Sequence, residues 1–317
     1  MKIILTGASG FVGKNLLKRL LGDGYAVTAI VRSEVVSIDS RAEVAVVQGL
    51  TAEQDWSDVF VPGAVVIHAA ARAHVMNDNE SAPLPVYREI NTAGTLHLAR
   101  QAAAAGVQRF VFISSIKVNG ESTTAAPAFA ETDLIATEDP YAISKAEAEQ
   151  GLWLISQETG MDVVIIRPPL VYGPGVKANF LSLIKLAKTA APLPFGAIKN
   201  KRSMIYIGNL VDFIATCVEH PAAKNQLFLV SDRQDLSLYG LITRLRSSMD
   251  KPARLIPVPS FLFGLAGKLL GKKTLIDRLV GDLQVDSNKA VELLGWTPPF
   301  TVEQGIQATV DAFFKGK

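Results

Sequence analysis

The chain has 317 residues, close to half of them apolar, which is enough to bury a sizeable core without help from disulfides, and its single cysteine, Cys217, has no partner for a bridge. A formal charge of +2, with no basic run interleaved with aromatics, excludes the electrostatic footprint of a nucleic-acid binder. Met1-Lys2 runs directly into Ile3-Ile4-Leu5, too short a lead for a signal peptide, so the expected setting is the reducing cytoplasm.

The first half alternates short β-branched runs with longer helical stretches: Ile3 to Thr6, Val12 to Leu21, Ala26 to Val31, Val44 to Gln48, Val65 to His68, Thr92 to Ala105, Phe110 to Ser114 and Val163 to Ile166. This is the rhythm of βαβ units, and fully apolar strands belong in a parallel sheet covered on both faces. The expected fold class is therefore α/β, a doubly wound parallel-sheet Rossmann domain with a smaller α/β substrate-binding lobe. Residues 1–168, with about 203–232, are expected to bind a dinucleotide; residues 169–202 and about 233–317, where prolines mark turns between shorter elements, are expected to form the second lobe.

Between the first strand and first helix lies Thr6-Gly7-Ala8-Ser9-Gly10-Phe11-Val12-Gly13. Gly7 suits the turn, Gly10 lets phosphate approach the helix N-terminus, and Gly13 permits close helix-to-strand packing, so Gly7, Ser9, Gly10, Phe11, Val12 and Gly13 are expected to cradle a pyrophosphate. Further along, Pro140-Tyr141-Ala142-Ile143-Ser144-Lys145 sets a phenol and an ammonium one helical turn apart on a common face. A phenol with a pKa of about 10 is a poor base near neutral pH unless a positive charge stabilises its anion, and Lys145 can supply that charge to Tyr141.

Phe261 to Leu270 is apolar and is followed by Lys272 and Lys273, but a spanning helix needs about 20 such residues. The segment is expected to be a helix packed in the second lobe, with a surface-lying amphipathic helix as the alternative.

The Gly-x-x-Gly-x-x-Gly spacing combined with Tyr141 and Lys145 resembles the extended short-chain dehydrogenase/reductase family, and the resemblance spans nearly the whole chain. It includes His68-Ala69-Ala70-Ala71, Asn91-Thr92-Ala93-Gly94-Thr95, Ser114-Ser115, Arg167-Pro168-Pro169-Leu170-Val171-Tyr172-Gly173-Pro174-Gly175 and Leu294-Gly295-Trp296-Thr297-Pro298. Within that family the motifs look like nucleotide-sugar epimerases, dehydratases and ketoreductases. The resemblance implies that Ala69, Ala70, Ala71, Asn91 and Pro168 join the cofactor site. It also implies that Ser115 donates to the sugar oxygen, that Tyr141 exchanges its proton, and that Lys145 lowers the tyrosine pKa while holding the nicotinamide ribose.

Two positions depart from the family pattern. The second strand ends in Arg32-Ser33 rather than in an acid; an arginine can pair with a 2′-phosphate, which favours NADP(H) and leaves NAD(H) as the other choice. Gly49-Leu50 stands where relatives often carry an acid that contacts adenine. On the substrate side, Met204 to Ile207 reads as a further strand just after Arg202, and the resemblance implies that Asn179 and Arg202 bind the diphosphate of a UDP-sugar, with Arg278 and Asp282 completing the clamp and touching the ribose. Arg72 and His74 either line the sugar pocket or are ordinary loop residues, and no metal ligand set accompanies the histidine.

Dehydratases of this family place an Asp-Glu pair after the hydroxyl residue, whereas this chain has Ile116-Lys117, which argues against dehydration. Lys117 itself faces either substrate or solvent. The reading placed first is a ketoreductase acting on a UDP-4-keto-6-deoxy-N-acetylhexosamine, as in bacterial synthesis of UDP-N-acetylquinovosamine-type sugars for surface polysaccharide such as lipopolysaccharide O-antigen. The alternative is a UDP-sugar 4-epimerase, acting on UDP-glucose or UDP-N-acetylglucosamine; a cofactor-binding sensor without catalysis is disfavoured because Tyr141 and Lys145 are both present. The family resemblance also implies a homodimer paired through the helices at about Asn91 to Ala105 and Tyr141 to Thr159.

Overall fold

The inner strands of the sheet are apolar through their middle positions because helices cover both of its faces. The computed structural model describes residues 1–33, 37–72, 83–135, 137–269, 271 and 273–315; His74 and Lys272 lie outside them. In chain order the first half contains β1 (Lys2–Thr6), α1 (Phe11–Gly22), β2 (Ala26–Val31), β3 (Glu43–Val46), β4 (Val65–His68), α2 (Pro83–Tyr87), α3 (Thr95–Ala104), β5 (Arg109–Ile113), α4 (Pro140–Thr159) and β6 (Asp162–Arg167). The second half adds β7 (Leu170–Tyr172), α5 (Ala178–Lys188), β8 (Met204–Tyr206), α6 (Ile207–Glu219), β9 (Gln226–Leu229), α7 (Leu238–Ser247), α8 (Ser260–Leu269), α9 (Lys273–Val280), α10 (Asn288–Leu294) and α11 (Val302–Lys315).

Seven parallel strands pair in the order β3-β2-β1-β4-β5-β6-β9. Alternation of side chains along each strand divides the core in two. Ile3, Leu5, Val65, Ile67, Val111 and Ile113 pack against α1 and α6 on one face. Ile4, Val66, Phe110, Phe112, Val163 and Ile165 pack against α3 and α4 on the other. A third apolar cluster, including Tyr172, Phe180, Ile184, Leu241, Leu245 and Ile306, gathers β7, α5, α7 and α11 outside the sheet, and β7 and β8 form a separate parallel pair.

Three elements differ from the sequence expectation. The helix expected over Thr92 to Ala105 begins instead as a wide π-type turn, Arg88–Gly94, before α3. The wider turn brings Gly94 against the Leu50 carbonyl, where an added Cβ would lie 2.5 Å from the oxygen, and ties the Asn91 side chain to its neighbours. Ile207, expected in a strand, opens α6, because the Asp232 carboxylate accepts the Tyr206 N–H and turns the chain there. Helix α8 packs on one side only: Phe263 stacks on Phe195 at 5.8 Å, while Phe261 and Leu265 are exposed. Among the described residues no helix is long and apolar enough to cross a membrane. Cys217 is fully buried on α6, where burial pushes its thiol up.

Candidate active site

The loops that leave β1, β4, β5 and β6 emerge together at the carboxyl edge of the sheet, where parallel α/β sheets present their ligand crevice. The order reverses between β1 and β4, and Thr6 and His68 pair in register there. Thr6 Oγ1 lies 2.7 Å from His68 Nδ1, and His68 Nε2 lies 3.0 Å from Thr95 Oγ1. Burial pushes the imidazole down to about 3, and its two hydroxyl neighbours suit a neutral ring.

The glycine loop begins where β1 stops. Gly7 has φ +71°, and a Cβ there would meet the Ala69–Ala70 backbone at 2.7 Å, so loop and β4 exit pack backbone to backbone. A Cβ on Gly13 would come within 2.0 Å of Gly7 O, which fixes the first turn of α1 against the loop. Gly10 is the N-cap of α1, carries no side-chain cap, and is followed by no acid in the first turn. Exposed Ser9 and Gly10 and half-buried Phe11 and Val12 therefore flank a helix N-terminus whose N–H groups suit a dinucleotide's phosphates. Ala69 and Ala70 are half-buried and Ala71 is exposed on the adjoining loop, and Arg32 is exposed directly after β2.

Helix α4 carries the reactive face. Asp139 caps it, accepting from Ala142 N at 3.0 Å, and Pro140 takes the first helical position, where no N–H is needed. Tyr141, Lys145 and Glu149 then repeat at four-residue spacing. Lys145 Nζ donates to Ile113 O at 2.9 Å and stands 4.2 Å from the Phe112 ring centre; burial pushes the ammonium down to about 7, with Glu149 opposing. The sequence expectation was that Lys145 would lower the Tyr141 phenol. In the structure burial first, then the charges of Asp139 and neighbouring Tyr87, push the phenol up. Half-buried Ser115 closes the group at the end of β5, its Oγ accepting the Lys117 N–H at 3.3 Å.

Beneath this face Glu149 forms a buried ion pair with Arg167 and accepts from the Ser114 hydroxyl, while Arg167 Nη1 donates to Asn119 Oδ1 at 2.8 Å. Pro168 O accepts the Ile116 N–H at 3.0 Å and holds the β6 exit against the Ser115 turn. Asn91, expected among the cofactor contacts, accepts from Arg72 N at 2.8 Å and donates to Arg72 O and Ser144 Oγ at 3.1 Å, pinning the β4 exit to α4.

On the substrate side the structure brings Arg202, Arg278 and Asp282 together. Arg202 Nη1 donates to Arg278 O at 2.7 Å and Gly281 O at 3.2 Å, and Asp282 Oδ1 accepts from Lys201 N at 2.7 Å. Burial lowers the Arg202 guanidinium, with Asp282 opposing. Arg278 continues to Glu121 at 2.7 Å, Glu121 to Lys117 at 3.1 Å, and Lys117 to Asp139 at 2.7 Å, an ionic chain that reaches the first turn of α4. Asn179 is not part of it; it stands exposed on the first turn of α5. Sequence reasoning had left Lys117 unassigned and had passed over Glu121, Asp139 and Glu149. The four-residue step from Lys145 to Glu149 was the one available signal.

The family profile described as NAD dependent epimerase/dehydratase family matches residues 3–230. The chain is 50% identical over 315 residues to the UDP-glucose 4-epimerase of Vibrio cholerae, covering 99% of this chain and 95% of that protein. Its fold superposes on the crystal structure of UDP-glucose 4-epimerase with UDP-glucose from Thermotoga maritima, with a TM-score of 0.78 at 22% identity, covering 100% of this chain and 99% of that one. It likewise superposes on UDP-glucuronic acid 4-epimerase from Bacillus cereus in complex with UDP-glucuronic acid and NAD, with a TM-score of 0.78 at 22% identity and complete coverage of both chains.

Proposed function

This chain belongs to the NAD-dependent epimerase/dehydratase family, and from that premise we propose that it is a UDP-hexose 4-epimerase, with UDP-glucose or UDP-N-acetylglucosamine as substrate. The observation that carries the proposal is the 50% identity, over 99% of the chain, to a protein of that activity. It moves the epimerase ahead of the ketoreductase that the sequence reading had placed first.

In this reading residues 1–168 with about 203–232 hold the dinucleotide, and residues 169–202 with about 233–317 hold the sugar nucleotide. The cradle formed by Gly7, Gly10 and Gly13, with the uncapped N-terminus of α1, fits the pyrophosphate. A nicotinamide dinucleotide held there would supply reversible hydride transfer at C4. The Tyr141 oxygen accepts the C4 hydroxyl proton and later returns it to the C4 oxygen of the turned 4-keto sugar. Ser115 donates to the C4 oxygen throughout, and Lys145 provides the positive charge that makes a tyrosine anion accessible. Arg202 and Arg278, with Asp282 and Asn179, bind the UDP portion. A second copy of the chain pairs along α3 and α4, where Leu154 is exposed.

One observation favours the 4-ketoreductase as a second reading: exposed Arg32, in place of an acid after β2, suits the 2′-phosphate of NADPH, the cofactor a reductase consumes. The deciding experiment incubates the protein with NAD and either UDP-sugar and separates the 4-epimers. Epimer formation at constant nicotinamide absorbance, abolished by Tyr141→Phe, is the expected result. Stoichiometric oxidation of NADPH by a UDP-4-keto-6-deoxy-N-acetylhexosamine, without epimer formation, would replace it with the reductase.

A further inference from the structure

Helix α8 has almost no polar face. Of its ten residues, Ser260–Leu269, only Ser260 and Lys268 are polar, and a helix apolar on all sides is ordinarily covered on all sides. Here it is covered on one. Phe263 stacks on Phe195 at 5.8 Å, and Gly267, one turn further, is buried. On the opposite side Phe261 is 70% exposed, Leu265 54% and Leu262 40%, and exposed Lys268 continues the same stripe. The segment leading into the helix exposes Ile256 as well.

The charge around this helix is one-sided. From Lys251 to Ile276 the sequence holds five basic residues, Lys251, Arg254, Lys268, Lys272 and Lys273, and no acid, in a chain whose formal charge is only +2.

We propose that α8 is a membrane-docking helix: Phe261, Leu262 and Leu265 enter the interface of an anionic bilayer, and Lys268 with the basic residues flanking it in sequence meets the headgroup phosphates. The inference does not depend on which sugar nucleotide the protein turns over.

Apolar side chains beside clustered lysines suit an interface where hydrocarbon and anionic phosphate are neighbours. Lys268 fits on the apolar stripe because a lysine stem runs along hydrocarbon while its ammonium stays among the headgroups. Ten helical residues rise about 15 Å, half of a hydrocarbon thickness of about 30 Å, so α8 lies along the surface rather than across it. Phe263 keeps the helix on the apolar cluster that holds α5 and α7, so docking asks no element to unpack. A second copy of the chain is a poorer cover, since a two-fold contact sets the same patch against itself and brings like charges together.

The test is cosedimentation of the full chain with vesicles of equal parts phosphatidylcholine and phosphatidylglycerol, and with phosphatidylcholine alone. The protein should pellet with the anionic vesicles at low salt, be released as salt rises, and bind the neutral vesicles far less. Phe261→Ser combined with Leu265→Ser should weaken partition by about tenfold or more, and Lys268→Gln by about fivefold. These positions are exposed, so the melting temperature should hold. Leu134→Ser, at an exposed leucine outside the segment, should leave partition unchanged. Wild-type protein that stays in the supernatant would overturn the proposal, as would a double serine variant that pellets as well as wild type, or a Leu134→Ser variant that loses as much as the double one. If the vesicles fail and the double serine variant dissociates an oligomer in analytical ultracentrifugation, a second copy covers this face. If the vesicles fail and the protein binds polyglutamate, an acidic protein takes the place of the bilayer.

Discussion

Lys145 Nζ donates to the backbone oxygen of Ile113 over 2.9 Å while the centre of the Phe112 ring lies 4.2 Å from the same nitrogen. Strand β5 thus offers the ammonium one carbonyl and one aromatic face in place of water. Glu149, one turn along α4, favours the charged form but is already committed to Arg167. The balance falls against the charge, which is why the ammonium of a residue only 2% exposed is pushed down to about 7.

This burial makes the stability of the cofactor-free protein depend on pH with a definite sign. Unfolded, Lys145 takes its proton at its ordinary value of 10.5; folded, only below about 7. Between those values the unfolded chain holds a proton that the folded chain lacks. The contribution of this group to stability is therefore complete above 10.5 and is lost as the pH falls through 7. Lys145→Met should gain most in melting temperature over the wild type below about pH 7, and the gain should shrink toward pH 10.5. A difference independent of pH would show that the ammonium is not pushed down.

The ion pair beneath it answers to a different variant. Arg167 and Glu149 are both almost fully buried, and Glu149 also accepts from Ser114. Glu149→Ala leaves a guanidinium in the core with only Asn119 as a side-chain acceptor among the described residues. Breaking a buried pair on one side typically costs about 3–5 kcal/mol, to be read from denaturant midpoints. A loss below about 1 kcal/mol, the range of exposed pairs, would show that water reaches Arg167.

The sheet and its glycine loop were legible because each signal is local: period-two burial gives Ile3 and Leu5 to one face and Ile4 to the other, Gly7 is demanded by a positive φ at the turn, and Gly13 by its approach to Gly7 within one strand-turn-helix unit. The face of α4 was half legible. Tyr141 and Lys145 declare themselves by spacing, and so does Glu149 once that spacing is carried one turn further. The ionic chain from Arg278 to Asp139 was not legible, since its members are as far apart as positions 121 and 278 and come together only through tertiary packing. The same holds for Asn91, whose amide meets Arg72 and Ser144.

Arg32 offers a direct reading of cofactor choice. An exposed guanidinium after β2 attracts a 2′-phosphate and makes no equivalent bond to a ribose hydroxyl. Arg32→Asp should reverse the charge met there and raise the ratio of NAD(H) to NADP(H) affinity by about tenfold or more, the effect of one charged hydrogen bond. Equal loss for both cofactors, or none for either, would take the phosphate-reading role away from Arg32.

Arg202 tests the substrate side, and its geometry complicates a simple truncation. Its Nη1 already satisfies the carbonyls of Arg278 and Gly281, so the guanidinium orders the segment that carries Arg278, apart from the diphosphate contact proposed for it. Arg202→Ala should weaken UDP binding by about tenfold or more in calorimetry and leave dinucleotide binding unchanged, because the glycine loop lies on β1 and α1. Arg202→Lys separates the two roles: a lysine keeps the charge, but its side chain ends short of the Nη1 position from which both carbonyls are held. If charge alone matters, the lysine variant recovers most of the affinity. If ordering of residues 278–281 matters more, it binds UDP no better than the alanine variant. Unaltered UDP affinity in both variants would place the diphosphate elsewhere.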